Sequence, residues 1–147
     1  MKNIRLAAFA AAAAFSFGAG PALAQSSPFV SGDFVEVTGI TVDEGHSLDY
    51  QNWLATYVAK EEAYSRGQGW MISTEFLANV NGRKGEPDLY IVRRYKSIPD
   101  AAEGERRSKM LNDYMKTTDG QQDAAAGDRA KFRHVEGSQL LQVMVPR

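Results

Sequence analysis

Apolar residues in this chain recur at every second position, then along a helical stripe, then twice more at every second position, again along a stripe, and last at every second position. A strand turns successive side chains to opposite faces, and a helix brings positions three and four apart onto one face. The series therefore reads as strand, helix, strand, strand, helix, strand. β-Branched and aromatic residues crowd 34–42, a run too short for a helix and bounded by Gly32 and Gly45, which predicts the first strand. Tyr50, Trp53, Leu54, Tyr57, Val58 and Tyr64 then share one helical face while Gln51, Asn52, Lys60 and Glu62 point elsewhere. Ser47 is the expected cap of this helix and Gly67 its stop. Over 70–80 the alternation sets Trp70, Ile72, Thr74 and Phe76 against Met71, Ser73, Glu75 and Leu77. Turn residues fill 81–87, so this second strand and a third over 89–95 form an antiparallel hairpin. Ser97, Pro99 and Asp100 open a second helical region, with Ser97 as its cap and Met110, Leu111, Tyr114 and Met115 as its apolar face. It breaks at 117–120 and resumes over 121–133, and a fourth strand follows at 138–145.

That order is the ferredoxin-like βαββαβ arrangement, an α+β fold of four antiparallel strands with both helical regions on one face. The other face of such a sheet ordinarily meets water. Here both alternating sets are apolar: Trp70, Ile72 and Phe76 oppose Met71 and Leu77, and Leu89 and Ile91 oppose Tyr90 and Val92. A sheet apolar on both faces needs a second cover. The simplest one is another copy of the same sheet, in a homodimer with twofold symmetry.

The amino end predicts export. Lys2 and Arg5 precede an apolar stretch over 6–17, and Ala22-Leu23-Ala24 supplies a small-residue exit, the three parts of a cleavable signal. Cleavage is expected between Ala24 and Gln25, placing the mature protein in the periplasm or outside the cell. The stretch is short of the roughly 20 residues a spanning helix requires, and no membrane span is expected in the mature chain. Residues 25–33, polar and small with Pro28, read as a flexible arm before a single domain over 34–147. The 147-residue chain has no cysteine, which excludes thiol catalysis, disulfides and thiolate metal sites. Loss of Lys2 and Arg5 takes the 17 basic residues to 15 against 18 acidic, a formal net of −3. The basic clusters at 93–96 and 106–109 are interrupted by acids, so nucleic acid is not an expected partner.

On this element order, the two-faced sheet, the aromatic first helix with Trp53 and Tyr57, and the strand Tyr90-Ile91-Val92-Arg93-Arg94-Tyr95-Lys96, the chain resembles the dimeric α/β-barrel superfamily. The resemblance spans nearly all of the mature chain and implies a ferredoxin-like protomer paired sheet to sheet. Proteins of that superfamily include cofactor-independent monooxygenases, haem-binding and haem-degrading proteins, dye-decolorising peroxidases and chlorite dismutases. A fold alone does not choose among them.

The residues themselves offer a short set of candidates. Glu75 falls on one strand face with Met71 and Leu77, where a charge is costly unless paired, and Arg93 or Arg94 on the neighbouring strand is its expected partner. His134, between the second helical region and the last strand, is a candidate base or haem ligand, set against a plain boundary histidine in a polar loop. His46 reads as a turn residue, and the two histidines match no metal-ligand spacing. Trp53, Tyr57, Trp70 and Tyr90 are candidates to line a pocket for a small apolar or aromatic molecule, without a cofactor. Two functions follow as expectations: a small-molecule-binding dimer, or an oxygenase-like enzyme acting on an aromatic substrate through Glu75, Arg93 and His134, with a haem-binding variant of either that would use His134 as its axial ligand.

Overall fold

The computed structural model describes residues 26–147, so the expected signal sequence and its expected cleavage point lie outside the described residues. Four strands, β1 (Phe29–Val42), β2 (Ser73–Ala78), β3 (Leu89–Tyr95) and β4 (Arg133–Pro146), form one antiparallel sheet in the order β2-β3-β1-β4. Between β1 and β2 runs a helix in three parts: α1 (Ser47–Trp53), a π-helical segment (Leu54–Val58) and α2 (Ala59–Gly67). Between β3 and β4 lie α3 (Ala101–Met115) and α4 (Asp119–Arg129). This is the expected ferredoxin-like α+β fold. Among the described residues no helix is long and apolar enough to cross a membrane.

The core is where the first helix meets the sheet. Tyr50, Leu54 and Val58 are buried against Ile40 of β1 and Ile91 of β3, with Trp53, Tyr57, Leu89 and Phe132 against the margin. The register sets Thr38 and Phe76 opposite Ile91, so alternation gives this helix-covered face Glu36, Thr38, Ile40, Thr74, Phe76, Ile91, Arg93 and Tyr95. Val35, Val37, Glu75, Leu77, Tyr90, Val92, Arg94 and Leu141 fall on the opposite, open face.

Several boundaries differ from expectation, each for a local reason. β1 begins at Phe29, so most of the segment read as a flexible arm is strand, with Phe29 opposite Pro146 and Val30 opposite Val145. Gly32 hides this in the sequence: it sits at a register shift where Val143 and Val145 approach so closely that a Cβ would stand 3.1 Å from Val145. β4 likewise starts at Arg133, because Val42 and Thr41 continue the ladder opposite Arg133 and His134. β2 is shorter than 70–80: the amide of Trp70 donates to the Ser65 carbonyl and turns the chain before the strand begins.

The caps move as well. His46, not Ser47, stands at the start of α1, and the left-handed residue after α2 is Gly69, at φ 71°, not Gly67. α3 is capped by Asp100, whose carboxylate accepts from the Glu103 amide at 2.9 Å, not by Ser97. α4 opens on a reciprocal box in which Thr118 accepts from the Gln121 amide and the Gln121 side chain accepts from the Thr118 amide.

Candidate functional site

A cavity of about 420 Å³ opens between the helix-covered face of the sheet and α3. Its walls are apolar: Trp70 and Met71 from the turn before β2, Ile98 and Pro99 before α3, Leu111 on α3 and Leu140 on β4. Ser65, Arg107 and Ser108 add polar groups, and Glu36 and Tyr95 reach it from the central strands. Trp70 is held there by its neighbours, edge-on to Tyr64 with ring centroids 5.6 Å apart and with the Arg107 guanidinium 5.5 Å from its own ring centre. Arg107 is itself tied to Glu103 by a 2.6 Å bond along α3.

Behind the cavity wall runs a hydrogen-bonded network of charges. Glu62 of α2 is 4 % exposed, accepting from Arg93 Nε at 2.7 Å through one oxygen and from the Thr74 hydroxyl at 2.7 Å through the other. Arg93 continues to Glu36, Nη1 to Oε2, at 3.5 Å. The Tyr95 hydroxyl donates to the same Glu36 oxygen at 3.1 Å, and Ser138 donates to the other at 3.4 Å. Burial works against the Arg93 charge, yet Glu62, followed by Tyr95 and Glu36, more than offsets it and holds the guanidinium above its ordinary range. Burial, then the Glu36 charge, pushes the Tyr95 phenol well up, so this hydroxyl is a donor and not a phenolate at neutral pH.

The network corrects two expectations. Glu62 does not point away from the core: it continues the row Leu54, Val58, Glu62 at steps of four, buried because Arg93 and Thr74 meet it. Arg93 does not pair with Glu75. In the ladder Thr74 faces Arg93 and Glu75 faces Val92, so the two charges lie on opposite faces of the sheet. Glu75 is exposed on the open face, and the partner of Arg94 is Asp33, at 3.9 Å.

The other sequence candidates are dispersed. His134 lies within β4, not in a loop, and its Nε2 is 3.0 Å from Asp43 with both side chains about half exposed, away from the cavity lining. His46 stacks on Phe132 at 4.7 Å. Of the four aromatic candidates, Trp70 alone lines the cavity under α3. Trp53 and Tyr57 stack at 6.1 Å in a separate groove against α4, where the Arg129 guanidinium lies 4.1 Å from the Trp53 ring centre. Tyr90 is on the open face with Val37, Gly39, Pro87 and Leu141. The structure thus separates Glu75, His134 and Arg93 from one another and brings Arg93 together with Glu36, Glu62 and Tyr95. Sequence reasoning missed Glu36, although it shares strand parity with Ile40, which marks a carboxylate on the core side; Tyr95 was among the aromatics dense enough to line a pocket, and it does line this one. Among the described residues no group of three or more His, Asp or Glu is placed to hold a metal ion.

No protein-family model matches the chain, and no curated protein matches it. Among solved structures it is similar to protein SO0527 from Shewanella oneidensis, at a TM-score of 0.42 and 14 % sequence identity, over 79 % of this chain and 93 % of that one.

Proposed function

We propose that the protein binds a small, flat, largely apolar molecule in the cavity under α3, with the polar end of that molecule at Glu36 and Tyr95. The observation that carries this reading is an apolar-walled space of about 420 Å³ that ends on a hydrogen-bonded carboxylate. Ligand sites are typically cavities of roughly 300–1,000 Å³ lined by apolar and aromatic side chains with a few fixed polar groups. The test uses N-phenyl-1-naphthylamine, a neutral fluorescent probe of that shape. Its emission rises on binding to the wild-type protein, and Ser108→Trp, which fills the cavity from an exposed position on α3, abolishes the rise while the far-ultraviolet circular dichroism stays unchanged. A rise that survives the substitution contradicts the reading.

The same proposal includes export after cleavage between Ala24 and Gln25, supported by the three-part amino end. It also includes a homodimer paired through the open face of the sheet. That face carries Val35, Val37, Tyr90 and Val92, with Leu77 and Leu141 44 % and 49 % exposed, and a second sheet laid on it would bury them.

Catalysis in the same cavity, of the cofactor-independent oxygenase kind, is the second reading. Glu36 favours it, as a partly exposed carboxylate lining the cavity, within reach of a proton on a bound molecule. Turnover of an identified aromatic ligand that Glu36→Gln abolishes even when the ligand is saturating would select this reading over simple binding.

A further inference from the structure

The cavity reading above leaves the chemistry of the ligand's polar end open, and the hydrogen bonding of Glu36 and Glu62 constrains it. Arg93 is shared by two carboxylates, and it does not serve them equally. Glu62 receives 2.7 Å bonds on both oxygens, one from Arg93 and one from Thr74. Glu36 receives only long contacts, 3.5 Å from Arg93, 3.1 Å from Tyr95 and 3.4 Å from Ser138. An ionised carboxylate has about four lone-pair sites, so Glu36 retains acceptor capacity, and of the two glutamates it is the one that lines the cavity. The Tyr95 proton is committed to Glu36, which leaves Tyr95 an acceptor toward anything in the cavity. Among the described residues the one cation on the lining is Arg107, which gives its Nε–H to Glu103 at 2.6 Å on the α3 wall, so that carboxylate offsets its charge.

We infer that the site selects aromatic molecules carrying a hydrogen-bond donor, a phenol or an N–H, and rejects aromatic carboxylates. A donor aimed at Glu36 completes an under-coordinated acceptor, whereas a carboxylate there meets a like charge and a phenol oxygen with no free proton. Hydrogen bonds to a charged acceptor are about twice as strong as neutral ones, which sets the size of the selection.

Displacement of N-phenyl-1-naphthylamine by three naphthalenes of one size tests the inference. Wild-type protein binds 2-naphthol at least about tenfold more tightly than 2-naphthoate, with 2-methylnaphthalene between them. Glu36→Gln brings 2-naphthol and 2-naphthoate to within about threefold, because the amide keeps the shape and removes the charge. Tyr95→Phe acts in the opposite direction: it frees Glu36 of one donor and widens the preference for 2-naphthol, and it remains informative if Glu36→Gln does not fold. Equal or tighter binding of 2-naphthoate by the wild type overturns the inference, and so does an unchanged ratio in both variants. In either case retained binding of the fluorescent probe leaves the cavity reading standing. Absence of any probe signal overturns both.

Discussion

Glu62 on α2 and Arg93 on β3 form a 2.7 Å ion pair that joins helix to sheet, with the carboxylate all but excluded from water. The pair spans the gap between the hydrophobic core around Ile40 and Ile91 and the cavity under α3, and Glu36 and Tyr95 extend it to the cavity wall. It therefore ties the cavity wall to the core.

Removing one partner of a buried pair leaves the other charge unpaired, which typically costs about 3–5 kcal/mol. Arg93→Ala is expected to lose stability on that scale, and Arg93→Met with Glu62→Leu to recover much of it by replacing the pair with apolar contact. Urea unfolding of the three proteins measures this. A loss below about 1 kcal/mol for Arg93→Ala would show that water reaches Glu62.

The phenol of Tyr95 makes a pH prediction. Its folded-state pKa is raised, first by burial and then by Glu36, above the ordinary value of 10.0. The unfolded chain therefore releases this proton first, so the stabilising contribution is intact below pH 10 and is lost as pH climbs above it toward the folded value. Absorbance at 295 nm should show Tyr95 ionising only as the protein unfolds, and Tyr95→Phe should make the alkaline loss of stability shallower. A reversible titration of Tyr95 near pH 10 in folded protein would contradict this.

Gly39 of β1 lies under the β2–β3 turn, where a Cβ would stand 2.6 Å from Cγ and 3.3 Å from Cβ of Pro87. The Pro87 ring cannot swing aside, so Gly39→Ala is expected to cost about 1–3 kcal/mol by overpacking. Gly137, whose Cβ would meet nothing within 4 Å, is the control and should tolerate alanine. Thermal unfolding compares them, and adding Pro87→Ala to Gly39→Ala should restore part of the loss.

The architecture was legible because it rests on backbone periods that survive in single residues. Alternation found β3 at its observed bounds, and the stripe of Tyr50, Leu54 and Val58 found the core face of the first helix. The π-helical segment Leu54–Val58 left no such trace, since its sequence Leu-Ala-Thr-Tyr-Val suits an α-helix equally. The site was harder to see. Glu75 attracted notice as a charge among apolar neighbours, but Glu75 and Leu77 belong to the open face while Met71 precedes β2 and lines the cavity, and which face the helices cover is decided by tertiary packing. Glu36 and Glu62 were passed over because charged residues are ordinarily solvated. Their burial depends on Arg93, 57 residues from one and 31 from the other in sequence.

The open face yields a prediction about assembly. If two sheets pair there, Leu141→Glu places a carboxylate in the contact, on the edge strand β4, from a position already 49 % exposed in the protomer. The protomer should therefore fold unchanged. Sedimentation velocity is expected to give a dimer for the wild type at micromolar concentration and a monomer for Leu141→Glu. A wild-type monomer would contradict the sheet-to-sheet arrangement.

The most direct test of the cavity as a binding site is native mass spectrometry of the protein purified from its own cells, beside the Ser108→Trp variant purified in the same way. The expected spectrum shows wild-type protomers carrying a small organic molecule whose mass is absent from the variant. Wild-type protomers without added mass, or an added mass that persists in Ser108→Trp, would contradict the account.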